Sequence, residues 1–221
     1  MSSNFTPVTR THVPTAPELL PEPFPGRPEA PVILLNLNPG FNVEDIEVHQ
    51  NRAFAEAARR TMLHDIQPYP VYLLDPRFRD ASGARWWRTY LAQLLELYGG
   101  HRIANTVACV VYFPYHSEQF NFPTLLPSQR YSIELVRVAM TRAAVIVVLR
   151  AWSWWRDVLP ELATYPHAFR LRNSQRVWVT EGNCRTVSMQ SGKPSKTSRL
   201  RMQQGSGQPL QQPCLTPGSI G

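Results

Sequence analysis

Three short apolar runs, residues 32–37 (VILLNL), 105–113 (NTVACVVYF) and 143–149 (AAVIVVL), are separated by stretches whose apolar residues recur at helical spacing. Runs this short and this continuous read as strands buried on both faces, and such strands need helices on both sides of their sheet. The chain is therefore expected to form an α/β fold, a three-layer sandwich around a four- or five-stranded, mostly parallel central sheet.

The intervening segments fit that scheme. After the turn at Pro39 and Gly40, acidic Glu44 and Asp45 suit the positive end of a helix whose stripe is Phe54, Ala57, Ala58 and Met62. Trp86, Tyr90, Leu91, Leu94, Leu95 and Tyr98 mark a second helix ending at Gly99-Gly100. Ser128 is placed to cap a third, with the stripe Ile133, Val136, Val138 and Met140, and Trp152, Trp155, Val158, Leu159 and Leu162 mark a fourth. Residues 69–74 are expected as a short edge strand and residues 176–180 (RVWVT) as the last strand of the sheet.

The ends differ from this middle. Eight prolines between Pro7 and Pro31 remove backbone donors, so residues 1–30 are expected to be an extended arm. Residues 31–184 form the expected domain. Residues 185–221, rich in Gln, Ser, Pro and Gly, bury too little to offset ordering entropy and are expected to be a disordered tail. That tail holds five basic and no acidic residues, so the net charge of +7 falls to +2 over residues 1–184. Binding driven mainly by attraction to phosphates is therefore not expected of the domain.

Cys109, Cys184 and Cys214 are too few and too scattered for a disulfide framework or an iron-sulfur centre. Asp65, Asp75 and Asp80 share no ligand spacing, so neither a metal nor another cofactor is expected. No apolar run is long enough to span a bilayer, and proline stands where a signal peptide would have its apolar block. A monomer in the cytoplasm, without a membrane partner, is the expectation.

Three polar loops follow candidate strands: residues 36–42, 115–117 and 181–183. In open α/β sheets ligands gather at such carboxyl ends. In the first loop Pro39 stiffens the turn, Gly40 lets the chain bend or a ligand approach, and an asparagine can aim its amide at a water or a base edge. The same residue types also make a plain strand-to-helix turn. His116 is a candidate donor or acid, and a surface or capping histidine is the competing reading. Arg150, directly after the third run, is suited to a phosphate or carboxylate, or is an ordinary surface arginine. The tryptophans at helical spacing read as core and rim. Trp154, on the opposite helical face from Trp152 and Trp155, is the exception and a candidate for stacking.

The stretch LLNLNPGF (residues 34–41) resembles the first motif of the uracil-DNA glycosylase superfamily, in particular its mismatch-specific branch with a Gly-Ile-Asn-Pro-Gly loop. NTVACVVYFPYHS resembles the superfamily's central strand and following loop, and IELVRVAMTRAAVIVVLRAWSWW its helix-then-strand unit. The likeness spans residues 31–183, and the NLNPG and FPYHS motifs resemble those of a divergent bacterial side branch. It implies N-glycosidic bond hydrolysis, with Asn38 positioning the attacking water and DNA, a free nucleobase or a nucleotide as ligand; His116, near an expected pocket loop, is the second catalytic candidate. Phe41 would pack against an extruded base, with Asn36, Pro39, Gly40, Tyr115, Ser117, Arg150 and Asn183 lining the substrate site. Where most active branches carry a His-Pro-Ser-type loop that wedges into the duplex, this chain has Thr180-Glu181-Gly182-Asn183. Two rival readings follow: a non-catalytic module that keeps the pocket to bind a nucleobase, nucleotide or nucleic-acid end, and a different α/β enzyme using His116 and Ser117 on a small substrate, for which no carboxylate partner is evident.

Overall fold

The computed structural model describes residues 19–118, 125–173, 175, 177–180 and 182–186. The first 18 residues of the arm, Arg176, Glu181 and the tail from residue 187 lie outside the described residues.

The first apolar run forms β1 (Val32–Asn36), with Ile33, Leu34 and Leu35 buried. It pairs in parallel with β2 (Val107–Val111) on one side and β3 (Val145–Val148) on the other. β4 (Ala168–Leu171) continues the parallel set beside β3, and β5 (Cys184–Thr186) closes the far edge antiparallel to β4. The order is β2-β1-β3-β4-β5, a five-stranded, mostly parallel sheet.

Because successive strand residues point to opposite faces, each strand feeds two cores. Leu34, Cys109 and Val147 pack with α2 (Arg52–Met62), α3 (Ser82–Tyr90) and α5 (Gly100–Thr106) on one face. Ile33, Leu35, Ala108, Val110, Ile146 and Val148 pack with α6 (Gln129–Thr141) and α7 (Trp152–Val158) on the other. The result is the α/β layering expected from continuous apolar strands.

Several boundaries depart from expectation for identifiable reasons. The first helix is two: α1 (Glu44–Gln50) ends at Asn51, whose extended backbone and side-chain oxygen, accepting from the Ala53 and Phe54 amides, restart the chain as α2. The second is likewise interrupted at Leu91 between α3 and α4 (Ala92–Tyr98). Gly99-Gly100 does not end the helical region: Gly100 opens α5, which takes Asn105 and Thr106 into helix and shortens β2 to five residues. Ser128 makes no side-chain cap; Gln129 instead reaches back, its Oε1 accepting from the Leu126 amide at 2.7 Å and fixing the chain just before the helix. The stripe of α6 is shifted too, with Ser132, Ile133, Val136 and Ala139 buried and Val138 half exposed. Tyr72–Leu74 is a short 3-10 turn instead of an edge strand. Residues 177–180 form no strand, although the Val179 amide donates to the Tyr90 carbonyl.

The described part of the arm contains no helix or strand, and residues 22–25 lie along β2. The Cys109 amide donates to the Pro25 carbonyl at 2.8 Å and the Val111 amide to the Pro23 carbonyl at 3.0 Å, while the Glu22 amide donates to Pro114 at 2.8 Å. Proline cannot donate to a ladder but can accept from one, so this strap satisfies edge donors without offering a new edge. Leu19, Phe24 and Ala30 are buried with the core.

Candidate functional site

The chain leaving β1 packs on the face of α2 and α3, whereas the chain leaving β2 and β3 packs through α6 and α7 on the other. The loops therefore part around the carboxyl end of β1, the place where sheets of this kind bind ligands.

Asn38 sits there, half-buried. Its Nδ2 donates to the Pro39 carbonyl at 2.9 Å, to Ser117 Oγ at 3.0 Å and to the Ser117 carbonyl at 3.2 Å. Carbonyl oxygens only accept, so this surrounding fixes the amide's orientation and turns Oδ1 away from them as an acceptor. The link joins the loops after β1 and β2 across 79 positions of sequence. Asn36 adds a second acceptor: its backbone carbonyl is taken by the Tyr112 amide and Trp155 Nε1, each at 3.0 Å, while its side-chain Oδ1 is buried without a donor.

Ser117 is 2 % exposed and committed to Asn38, and His116, 5 % exposed, is directed elsewhere. His116 Nδ1 lies 2.9 Å from the Gly40 carbonyl, so Nδ1 carries the proton and donates. A Ser117–His116 nucleophile pair is therefore not formed. The carboxylate partner that the sequence did not reveal is Glu22, from the strap, whose Oε1 lies 4.0 Å from His116 Nε2, too far for a hydrogen bond. His49, at the end of α1, stands edge-on to the His116 ring with centroids 5.1 Å apart. Burial lowers the His49 pKa against the upward pull of Glu22, with His116 adding to the lowering. Burial pushes the Tyr72 phenol well above its usual range, reinforced by Glu22, and this hydroxyl donates to Glu22 Oε1.

The other expected site residues are distributed unevenly. Pro39, Gly40 and a half-buried Phe41 share the Asn38 loop. Tyr115 packs edge-on against Phe113 and donates to Ser128 Oγ at 3.3 Å, at the start of α6. Arg150 is exposed just beyond β3, next to Ala151, a non-glycine residue held at φ 59°. Asn183 is not brought to Asn38. It accepts from the Asn173 amide at 3.0 Å and donates to the Trp178 carbonyl at 2.9 Å, at the start of β5. Three strand spacings, about 14 Å, separate β5 from β1. Trp154 packs edge-on against Tyr112 at 5.7 Å and is about one-third exposed.

Two concavities lie away from Asn38. One of about 120 Å³ is lined by Gly26, Arg27, Thr61, His64 and Gln67 among others, and one of about 350 Å³ by Thr89, Tyr90, Gln93 and Trp178 among others. No helix among the described residues is long and apolar enough to cross a membrane. Comparison with family models, with curated proteins and with solved structures gave no match.

Proposed function

We propose that this chain acts on a nucleobase, hydrolysing an N-glycosidic bond with a water oriented by Asn38, in the manner of the uracil-DNA glycosylases that its NLNPG segment resembles. One observation carries the reading: three acceptors pin the Asn38 Nδ2 and leave Oδ1 at the carboxyl end of β1 as a preset acceptor for water. A group held this way contributes by orientation, and small displacements of such groups cost on the order of 100-fold in rate. Phe41, in the same loop, would contact the base, and the buried Asn36 Oδ1 is an acceptor for a base or water donor.

Incubation with single- and double-stranded oligonucleotides carrying uracil, mismatches or oxidised bases, followed by detection of abasic sites, tests the proposal. Asn38→Ala is expected to lower the rate on the order of 100-fold or more, and full activity in that variant would reject Asn38 as the water-holding group.

A second reading is a binding module without catalysis. It is favoured by the net charge of only +2 over residues 1–184, which offers little attraction to a DNA backbone. Binding of a nucleobase or nucleotide with no abasic product across the panel is the outcome that selects it.

A further inference from the structure

We propose that Glu22, His49 and His116 form a binding site for a divalent transition-metal ion, zinc being the best match to two imidazoles and one carboxylate. One ligand atom from each residue lies within 4.8 Å of the other two. The three come from separate parts of the fold: the strap on the edge of β2, the end of α1 and the loop after β2.

The argument rests on hydrogen-bond accounting. His116 donates its Nδ1 proton to the Gly40 carbonyl, which leaves the Nε2 lone pair facing the Glu22 carboxylate at 4.0 Å. Two electron-pair donors thus face one another in a buried setting, with side-chain exposures of 6 % for His116 and 11 % for Glu22. His116 Nε2 and His49 Nδ1 are both buried without a hydrogen-bond partner. Buried polar atoms are normally paired, and leaving one unpaired costs about 1–3 kcal/mol. His116 Nε2 and a ring nitrogen of His49, gathered with one carboxylate within 4.8 Å, call for a shared electron-pair acceptor between them.

The supporting contacts have the form that metal sites use. A ligating histidine normally donates its other ring nitrogen to a carbonyl or carboxylate, as His116 does to Gly40, and a ligating carboxylate is itself hydrogen-bonded, as Glu22 is by Tyr72. Bond lengths near 2.0–2.1 Å place tetrahedral ligand atoms roughly 3.4 Å apart. The cluster must draw in by about 1 Å or somewhat more at its widest edge, a change within reach of side-chain torsions. The fourth position is left to water. This inference goes beyond the glycosylase reading and does not depend on it, because none of its ligands is Asn38. The ion would nevertheless tie the strap to the Gly40 turn that follows Asn38.

The test uses the full chain, freed of any affinity tag. Metal content is measured on the protein as purified, and Co²⁺ is then titrated into chelator-treated protein while visible absorption is followed. The expected result is one metal ion per chain, an intense tetrahedral Co²⁺ spectrum and a melting temperature raised by Zn²⁺. Glu22→Gln and His49→Ala are expected to weaken Co²⁺ binding more than about 100-fold, and Tyr72→Phe, which removes only a supporting bond, about 10-fold. His101→Ala, outside the cluster, should bind as the parent does. Wild-type protein that neither holds nor is stabilised by Zn²⁺ or Co²⁺ overturns the proposal even if every variant fails to fold. Binding unchanged in Glu22→Gln and His49→Ala also overturns it. Protein that binds neither ion yet releases a base would overturn the metal site alone, and protein that binds one ion yet releases no base would overturn the Asn38 reading alone.

Discussion

Asp75 is a buried carboxylate with an exposed partner. Burial alone would raise its pKa, but hydrogen bonds from the Arg77 guanidinium and backbone amide, together with the charges of Arg77 and Arg88, outweigh this and hold it below the usual range. A depressed folded pKa means that the unfolded chain takes up the proton more readily. The stabilisation is therefore complete above the unfolded value near 3.9 and is lost as pH falls through the lower folded value. Asp75→Asn keeps the acceptor for the Arg77 amide and removes the charge. It should cost about 0.5–1 kcal/mol at neutral pH, a modest figure because the guanidinium is largely exposed. Urea unfolding of both proteins from pH 7 to pH 2 checks this, and a gap that failed to narrow in acid would contradict it. Cys109 offers a contrast: burial pushes its thiol far up, so it behaves as a small apolar side chain on β2.

At the scale of elements, the strap along β2 is the segment that proline content described only in part. The prolines argue against helix in this segment, and the accepting carbonyls of Pro23 and Pro25 give its described part a place on the sheet. Gly26 lets it lie so close. At φ 115° its backbone takes a conformation that L side chains rarely adopt, and an added Cβ would stand 2.6 Å from both the Cα and the Cβ of Ala108. The obstruction is mostly backbone and cannot rotate away, so Gly26→Ala is expected to destabilise the fold by at least about 2 kcal/mol, through strain and overpacking together. Chemical denaturation measures it, and a loss below 0.5 kcal/mol (about the noise of surface substitutions) would mean that the strap can move aside.

For the molecule as a whole, the strap's contribution can be read by truncation. A chain starting at residue 27 loses the acceptors for the Cys109 and Val111 amides and the buried Phe24. Truncating a buried phenylalanine alone typically costs about 3–5 kcal/mol, and an uncovered edge strand invites pairing with other chains. Thermal melts and light scattering of chains starting at residues 19 and 27 should place most of the loss, and the onset of aggregation, between those two starts. Equal behaviour would show that the sheet edge needs no cover. What the sequence by itself determined is the set of features that depend on neighbours in the chain. Ile33 to Leu35, Cys109 to Val111 and Ile146 to Val148 announce buried parallel strands, and Phe54, Ala57 and Ala58 a core-facing helix, because apolar periodicity is a local property. Only the tertiary structure decided the rest. β4 is four residues with Arg170 exposed, recognisable as a strand only by its pairing with β3 and β5. The Asn38–Ser117 link spans 79 positions, and Glu22, His49 and His116 share no spacing that a ligand motif would show. Such constellations are set by how elements pack, and a one-dimensional pattern carries no record of distances between residues so far apart along the chain.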